Sequence, residues 1–201
     1  MTRLAVVYYS ATGHVHKLAQ AVAAGAEESG AEVRLRRVAE LAPEEVIRSQ
    51  DAWHEHAMET RETVQEATLD DLEWSDGYAF GTPTRFGTPA AQIKQFIDTA
   101  GPLWQKGGLA DKAATSFTSS MNHHGGQEST ILALNNVFYH WGAVIVSPGY
   151  TDPLLYASGG NPYGTSLVTG QEVADSLPDE IETAARYQGK RWAEIAAKLS
   201  A

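Results

Sequence analysis

The chain has 201 residues and no cysteine, and its formal net charge is −10 with a pI near 5.1. This length fits one α/β domain that buries about 70% of its unfolded surface, so we expect a single domain over residues 1–201. The acidity counts against a nucleic-acid partner, because a phosphate backbone selects basic surfaces. Without cysteine there is no thiolate nucleophile and no cysteine-ligated metal centre, so any redox chemistry must come from a bound cofactor.

Targeting and membrane signals are not visible in the sequence. The first apolar segment begins within a few residues of Met1, and no charged and apolar leader precedes it. The chain also lacks an uninterrupted apolar run of about 18 residues, the length that crosses a bilayer. We therefore expect no membrane insertion and a cytoplasmic location.

The N-terminal segment predicts a buried strand, a polar turn and a helix. Residues 4–9 are apolar, and from residue 15 onward apolar residues recur with the spacing of one helical face. The first N–H groups of a helix lack partners, and its dipole favours an anion there. Ser10, Thr12 and Gly13 in the turn therefore predict a phosphate site, although any α/β protein needs polar turns after its strands. The P-loop and the dinucleotide fingerprint are both missing.

Strand and helix patterns alternate along the rest of the chain. Further strands are predicted at residues 32–38, 76–80, 113–118 and 143–147. Helices are predicted at residues 90–100, 127–139 and 179–199, and loops around Trp104 and over residues 148–178. This alternation predicts a doubly wound parallel sheet of five strands with helices on both faces.

Residues 39–75 are strongly polar and predict a long, partly helical excursion. His54 and His56 lie two positions apart in it, a spacing that directs both rings at one ligand only in a strand. No third ligand stands nearby. We therefore expect a solvated surface pair and no metal site.

Three polar, glycine-containing loops at residues 10–15, 81–87 and 119–126 each follow a predicted strand. In an open parallel sheet, ligands bind outside the carboxyl ends of the strands, so we expect these loops to converge. Their composition suits a planar polar heterocycle held by backbone groups, with a phosphate at the first loop. Phe86 and Trp104 are candidates to stack on its ring, and ordinary packing is the alternative for each.

Several stretches resemble the WrbA family of flavodoxin-like NAD(P)H:quinone oxidoreductases. In chain order they are residues 8–14, 80–87, 125–128, 161–164 and 185–189. The resemblance runs from residue 4 to about residue 199, and G-T-P-T-R-F-G at residues 81–87 is its specific part. It implies a flavodoxin-like fold that binds FMN without a covalent bond, at the point where the strand order reverses. It also implies a homotetramer.

The resemblance assigns three cofactor loops. The phosphate loop comprises Ser10, Thr12, Gly13, His14 and Val15. The loop facing the isoalloxazine ring comprises Thr82, Pro83, Thr84, Arg85 and Phe86, and the third loop comprises Ser119, Ser120, Met121, Asn122, His124 and Gly125. The family's cofactor-contacting histidine corresponds to His140, and its substrate-stacking tryptophan corresponds to Trp104.

The chain departs from the family pattern in two of these loops. Thr12 stands where many family members carry an aromatic residue that helps to hold the nicotinamide or quinone. The usual T-G-T-x-G-G loop is replaced by M-N-H-H-G-G at residues 121–126, which is one residue longer. We therefore expect the FMN contacts of this loop to differ in detail.

The function that the resemblance implies is electron transfer from NAD(P)H to a quinone through FMN. We hypothesise ping-pong hydride transfer, in which NAD(P)H reduces FMN and leaves before the quinone takes two electrons. No side chain must act as a nucleophile, so no catalytic residue is assigned. Arg85 would face the anionic side of reduced FMN or pair with a carboxylate. Candidate proton donors, with structural hydrogen bonding as the alternative for each, are His123, His124 and His140.

Two other functions remain open from the sequence. The acidity suits a flavodoxin-type carrier of single electrons, because acidic faces steer carriers to basic protein partners. The long segments at residues 39–75 and 148–178 favour the enzyme, since they suit an enclosed pocket. The altered loop at residues 121–124 also fits a flavin-free binding or scaffold protein.

Overall fold

The computed structural model describes residues 1–170 and 176–201. Its strands are β1 (Arg3–Tyr8), β2 (Glu32–Arg37), β3 (Gly77–Arg85), β4 (Thr88–Pro89), β5 (Ala113–Ser120), β6 (Val144–Ile145) and β7 (Ser166–Val168). The longer helices are α1 (His14–Glu28), α3 (Asp51–Thr63), α5 (Ala91–Thr99), α7 (Gln127–Trp141) and α9 (Asp179–Leu199). The short helices are α2 (Glu44–Ile47), α4 (Leu69–Trp74), α6 (Gly101–Gln105) and α8 (Leu154–Ala157).

The main strands form a parallel sheet in the order β2-β1-β3-β5-β6. The order reverses between β1 and β3, because the chain first adds β2 on one side of β1 and then crosses to the other side. Two short strands extend the sheet: β4 pairs antiparallel with β3, and β7 pairs parallel with β5. The prediction of a flavodoxin-like, doubly wound sheet with five core parallel strands is confirmed.

Helices cover both faces of the sheet, as its alternating side chains require. On one face, Leu4 and Val6 of β1 pack with α1 and α9 in one buried apolar cluster. On the other face, Tyr78 and Phe80 of β3 pack with α5 and α7 in a second cluster. A strand buried on both faces reads as a continuous apolar run, which is why residues 4–9 show no alternation.

Helices α1 and α9 meet through two glycines. A Cβ on Gly25 would lie 1.9 Å from the carbonyl oxygen of Arg186, and a Cβ on Gly189 would lie 2.0 Å from the carbonyl oxygen of Val22. Both distances are far below van der Waals contact, so the two backbones approach too closely for any other residue at these positions.

On the side away from β3, β5 pairs with two separate short strands. This corrects the sequence prediction. β6 pairs with the start of β5 (Ala113↔Val144), and β7 pairs with its end (Thr118↔Ser166). The sequence predicts one strand at residues 143–147 and a loop over 148–178. Because β7 is only three residues long, its sequence shows no alternation of apolar and polar residues that would predict a strand. Residues 171–175 of the predicted loop lie outside the described residues.

The excursion at residues 39–75 contains α2, α3 and α4, which confirms its partly helical character. One anchor of the excursion is the Glu40 carboxylate, which accepts hydrogen bonds from the Tyr9 hydroxyl (2.7 Å), Trp53 Nε1 (3.0 Å) and Gln92 Nε2 (2.6 Å). Burial raises the pKa of Glu40, but these bonds and that of the Ala42 N–H outweigh it and hold the pKa below its usual range. Glu40 thus ties the excursion to α5 and to Tyr9, the residue that follows β1.

Two further predictions of local structure need correction. Trp104 lies in the short helix α6 and not in a loop, because Pro102 occupies the first turn, where its missing N–H is not needed. β3 continues through the predicted turn to Arg85, since it pairs there with β4. Among the described residues, no helix is both long and apolar enough to cross a bilayer.

Candidate functional site

The three predicted loops converge on an open cavity of about 500 Å³ at the carboxyl ends of β1, β3 and β5. This is the edge of the sheet beside the reversal of strand order, where ligands bind in this class of fold. The lining residues are Ser10, Ala11, Thr12, His14, Val15, Pro83, Thr84, Arg85, Phe86, Ser119, Ser120, Met121, Asn122, Gly125 and Thr169. Thirteen of the predicted cofactor residues are among them.

The phosphate loop presents an uncapped helix N-terminus to the cavity. Gly13 is the N-cap of α1 in a left-handed conformation (φ 92°), no side chain caps the helix, and its first turn contains no acidic residue. The Gly13 N–H donates instead to Ser10 Oγ at 3.1 Å, which leaves the Ser10 hydroxyl proton for a ligand. Amide and hydroxyl donors at a helix N-terminus fit a phosphate group.

Thr12 contacts the neighbouring histidine of the same loop. Its Oγ1 lies 3.1 Å from His14 Nδ1, and both residues line the cavity. Where many family members carry an aromatic side chain, this chain therefore has a hydroxyl that fixes the orientation of an imidazole. The cavity wall is smaller and more polar on this side.

The isoalloxazine loop ends in a hairpin with an unusual residue at its tip. Phe86 and Gly87 form the two-residue turn between β3 and β4, with φ values of 53° and 77°. Asn or Gly normally occupies such positions, because a positive φ is unfavourable for a bulky side chain. The Phe86 ring is also fully exposed, at 105% of its reference area. A strained, exposed aromatic side chain at a cavity rim points to a role in binding.

Arg85 and Thr82 have different places in this loop. Arg85 lines the cavity and donates from Nη1 to the Thr84 carbonyl at 3.0 Å; no ion pair among the described residues involves it. Thr82 is buried behind the cavity wall, where Oγ1 donates to the Pro83 carbonyl (3.0 Å) and accepts from the Ala90 N–H (3.0 Å). Thr82 therefore supports the loop and does not line the cavity.

The third loop is held by its own hydrogen bonds. Ser120 Oγ accepts from Gln127 Nε2 (2.8 Å) and donates to the Asn122 carbonyl (2.7 Å). A Cβ on Gly125 would lie 2.7 Å from the Ser120 Cβ, so the turn requires glycine. This network places Met121 at the cavity rim with its side chain exposed. The predicted His124 and its neighbour His123 are exposed and lie outside the cavity lining.

Sequence reasoning missed Thr169. It lines the cavity, and its N–H donates to the Ser120 carbonyl at 2.8 Å. Thr169 follows β7 directly, and β7 was not predicted. Once it is known that β7 pairs with the end of β5, the position of Thr169 as a polar residue directly after a strand identifies it as a site residue.

His140 and Trp104 stand together but away from this cavity. Trp104 Nε1 donates to the His140 carbonyl at 3.0 Å, and Trp104 is 53% exposed. α7 begins beside the third loop and has 15 residues, so His140 near its other end is about 20 Å from that loop. The two residues therefore do not line the cavity of their own chain.

The histidines of the excursion do not form the predicted solvated pair, because α3 packs against α1. Both His54 and His56 are half-buried, and the His56 ring meets the buried His16 ring edge-on with centroids 5.3 Å apart. Burial and then the nearby His16 lower the pKa of His56 to about 4. Within residues 1–170 and 176–201, no group of three or more His, Asp or Glu side chains is arranged to hold a metal ion.

The sheet order and the polar loop that joins its first strand to an uncapped helix N-terminus define a flavodoxin-like α/β protein. Residues 2–151 match the sequence model of the family described as NADPH-dependent FMN reductase. The chain belongs to this family.

Similar proteins agree with this assignment over the whole chain. A Deinococcus radiodurans protein named NAD(P)H dehydrogenase (quinone) is 45% identical over 98% of this chain and 96% of its own. A Sinorhizobium fredii protein of the same name is 45% identical over the full length of both chains. The solved WrbA-like flavodoxin of Agrobacterium tumefaciens has a TM-score of 0.67 and 27% identity, covering 98% of this chain and 99% of its own. The resemblance to the WrbA family is thus confirmed.

Proposed function

We propose that the protein binds FMN and uses it to transfer two electrons from NAD(P)H to a quinone. The observation that supports this proposal most directly is the convergence of three polar loops on one cavity beside an uncapped helix N-terminus. Membership of the FMN reductase family and the full-length similarity to proteins named NAD(P)H dehydrogenase (quinone) support the same activity.

The residues at the cavity fit FMN part by part. Ser10, Thr12 and the first-turn amides of α1 would hold the phosphate. Pro83, Thr84 and the loop at residues 119–125 would flank the isoalloxazine ring with backbone amide and carbonyl groups. When bound, FMN supplies the chemistry: it accepts a hydride from NAD(P)H and passes two electrons to a quinone.

Two side chains at the rim would tune binding and charge. The Arg85 guanidinium is directed to no carboxylate among the described residues, so it can balance negative charge on the reduced cofactor. The exposed Phe86 ring would cover one side of a flat substrate and exclude water from it. No side chain acts as a nucleophile in this scheme.

The positions of Trp104 and His140 support a site shared between copies. Because both lie about 20 Å from the third loop of their own chain, they would reach a cavity only from a neighbouring copy. We therefore include a homotetramer in the proposal, with Trp104 stacking on the substrate and His140 contacting the cofactor. A cytoplasmic location completes it, since NAD(P)H is supplied there.

The alternative of a single-electron carrier has one observation in its favour. Residues 39–75 contain eleven Asp and Glu against two Arg, so this excursion carries a net charge of −9, close to the −10 of the whole chain. An acidic surface of this kind attracts basic redox proteins. The enzyme remains the better account, because its relatives over the full length are named as dehydrogenases.

An anaerobic reduction experiment separates these functions. Purified protein is incubated with FMN, desalted, and treated first with NADH or NADPH and then with benzoquinone. We expect retained yellow colour that bleaches with the nicotinamide and returns with the quinone. Retained flavin that stays oxidised with both nicotinamides would favour the carrier, and failure to retain flavin would overturn the cofactor assignment.

A further inference from the structure

The segment W-H-E-H at residues 53–56 lies on α3, which packs behind the phosphate loop. A Cβ placed on Gly13 would lie 3.5 Å from His56 Nδ1, so the His56 ring lies against the backbone of this loop residue. Gly13 is the left-handed N-cap of α1, so its conformation sets the start of the helix whose first residues, His14 and Val15, line the cavity. His56 thus contacts the phosphate loop without lining the cavity.

A chain of ring contacts continues from His56 into the core. The rings of His56 and His16 are 5.3 Å apart at 85°, and those of His16 and Tyr8 are 5.2 Å apart at 87°. The Tyr8 hydroxyl and His16 Nδ1 share a hydrogen bond of 2.5 Å. Tyr8 ends β1 and His16 lies in the first turn of α1, so these rings connect α3 with both elements that flank the loop.

Helix α3 is held in this position by other bonds. Trp53 Nε1 donates to Glu40, and Arg37 Nε of β2 donates to the Thr60 carbonyl at 3.2 Å. Thr60 Oγ1 in turn donates to the His56 carbonyl at 2.8 Å. The backbone of His56 is therefore fixed independently of its ring, and the ring can act as a rigid support.

We propose that His56 is a positioning residue, which together with His16 holds the phosphate loop in its binding conformation through an uncharged imidazole contact. The proposal rests on FMN being the cofactor. It gives the excursion at residues 39–75 a role in cofactor affinity, although no residue of that excursion lines the cavity.

The contact depends on both rings being uncharged. Burial lowers the pKa of His16 as well as that of His56, so both rings are neutral at pH 7. Protonation at lower pH would place like charges side by side and separate α3 from the loop. The titratable groups around the pair are His14 and Lys17 on α1, Tyr8 and Tyr9 at the end of β1, Arg37 and Glu40 at the end of β2 and just after it, and Glu55, Glu59 and Arg61 on α3.

Binding of FMN and riboflavin to the cofactor-free protein tests the proposal. The two ligands share the isoalloxazine ring, and only FMN carries the phosphate. For His56→Ala at pH 7.5 we expect the Kd of FMN, measured by quenching of flavin fluorescence, to rise about tenfold. The Kd of riboflavin should change less than about twofold. Met58→Ala, an exposed position on the same helix, is the matched control and should leave both constants unchanged.

The outcomes are distinct. An equal rise of both constants would show general damage to the pocket, and no change in either would remove His56 from cofactor binding; each overturns the proposal. Failure of the unaltered protein to bind FMN would contradict the proposed function instead.

His56→Phe separates the shape of the ring from its titration. This variant keeps an aromatic ring and should bind FMN as the unaltered protein does at pH 7.5. As the pH falls towards 4, the pKa of His56, the Kd of the unaltered protein should rise relative to that of the variant, because the variant lacks the proton site of His56 while both proteins keep His16. The ionisation of the FMN phosphate near pH 6 cancels in this ratio. A ratio that stays constant or falls with pH would overturn the uncharged contact.

Discussion

Trp104 donates a hydrogen bond from Nε1 to the main-chain carbonyl of His140 at 3.0 Å, which joins α6 to the end of α7 that is remote from the cavity. The bond fixes an exposed indole beside a histidine on the surface. In the proposed homotetramer, this pair would enter a site on another copy of the chain.

Replacement of Trp104 therefore has a specific expected result. In Trp104→Ala the FMN content should stay at that of the unaltered protein, while the KM for a quinone rises about tenfold through loss of ring stacking. Trp104→Phe keeps a ring and should recover most of the affinity. Steady-state kinetics with benzoquinone give both values. Loss of flavin in either variant would place Trp104 in the cofactor site.

The oligomeric state is a separate prediction. Light scattering on the eluting protein should give four times the chain mass of 21.7 kDa, since Trp104 and His140 reach a cavity only from a neighbouring copy. A monomer that is active with quinones at low concentration would contradict the shared site.

We expect replacement of Phe86 by glycine to have opposite effects on stability and on activity. Its positive φ costs about 1 kcal/mol, so Phe86→Gly should raise the free energy of unfolding by about that amount while lowering kcat/KM for quinones. Asp111 is the other non-glycine residue with a positive φ (61°) among the described residues, and it lies outside the cavity. Asp111→Gly should therefore stabilise the fold without a change in turnover. Urea unfolding and quinone kinetics on both variants provide the comparison.

The contact of α1 with α9 predicts a large effect of small substitutions. Gly25→Ala or Gly189→Ala would place a methyl group about 2 Å from a carbonyl oxygen of the facing helix, so we expect destabilisation of roughly 3 kcal/mol or more. Gly101→Ala is the control, because no atom lies within 4 Å of its Cβ position. Equal unfolding midpoints for the two helix variants and the control would contradict the close approach.

The pH dependence of stability follows from His56. Its pKa falls from 6.5 to about 4 on folding, so the unfolded chain binds more protons between these values. The free energy of unfolding should therefore decrease as the pH falls from about 6.5 towards 4. His56→Phe should remove the component of His56 and leave that of His16, whose pKa is also lowered by burial. Glu40, whose pKa is lowered from 4.5, adds stability that is lost only at lower pH, so the two groups can be told apart.

Local sequence patterns were enough to predict the strands, helix and loops that surround the candidate site. The apolar run at residues 4–9 and the helical spacing after residue 15 predicted β1, α1 and the polar turn between them. The resemblance carried by residues 81–87 added the second loop. These features depend on neighbours in sequence, so they are visible before folding.

The missed features all depend on contacts between distant segments. β7 is too short for a pattern and exists because it completes the edge of β5, and Thr169 reaches the cavity for the same reason. His56 has a polar sequence context typical of an exposed helix, but α3 packs on α1 and buries half of it. Sequence spacing alone does not reveal that packing.

The retention and reduction of FMN test the central claim most directly. Protein incubated with FMN, desalted and kept anaerobic should hold about one flavin per chain, lose its absorbance in the visible range on addition of NADH or NADPH, and regain it with benzoquinone. Protein that emerges from desalting without flavin would contradict the assignment of the cavity. Bound flavin that neither nicotinamide bleaches would contradict the dehydrogenase activity.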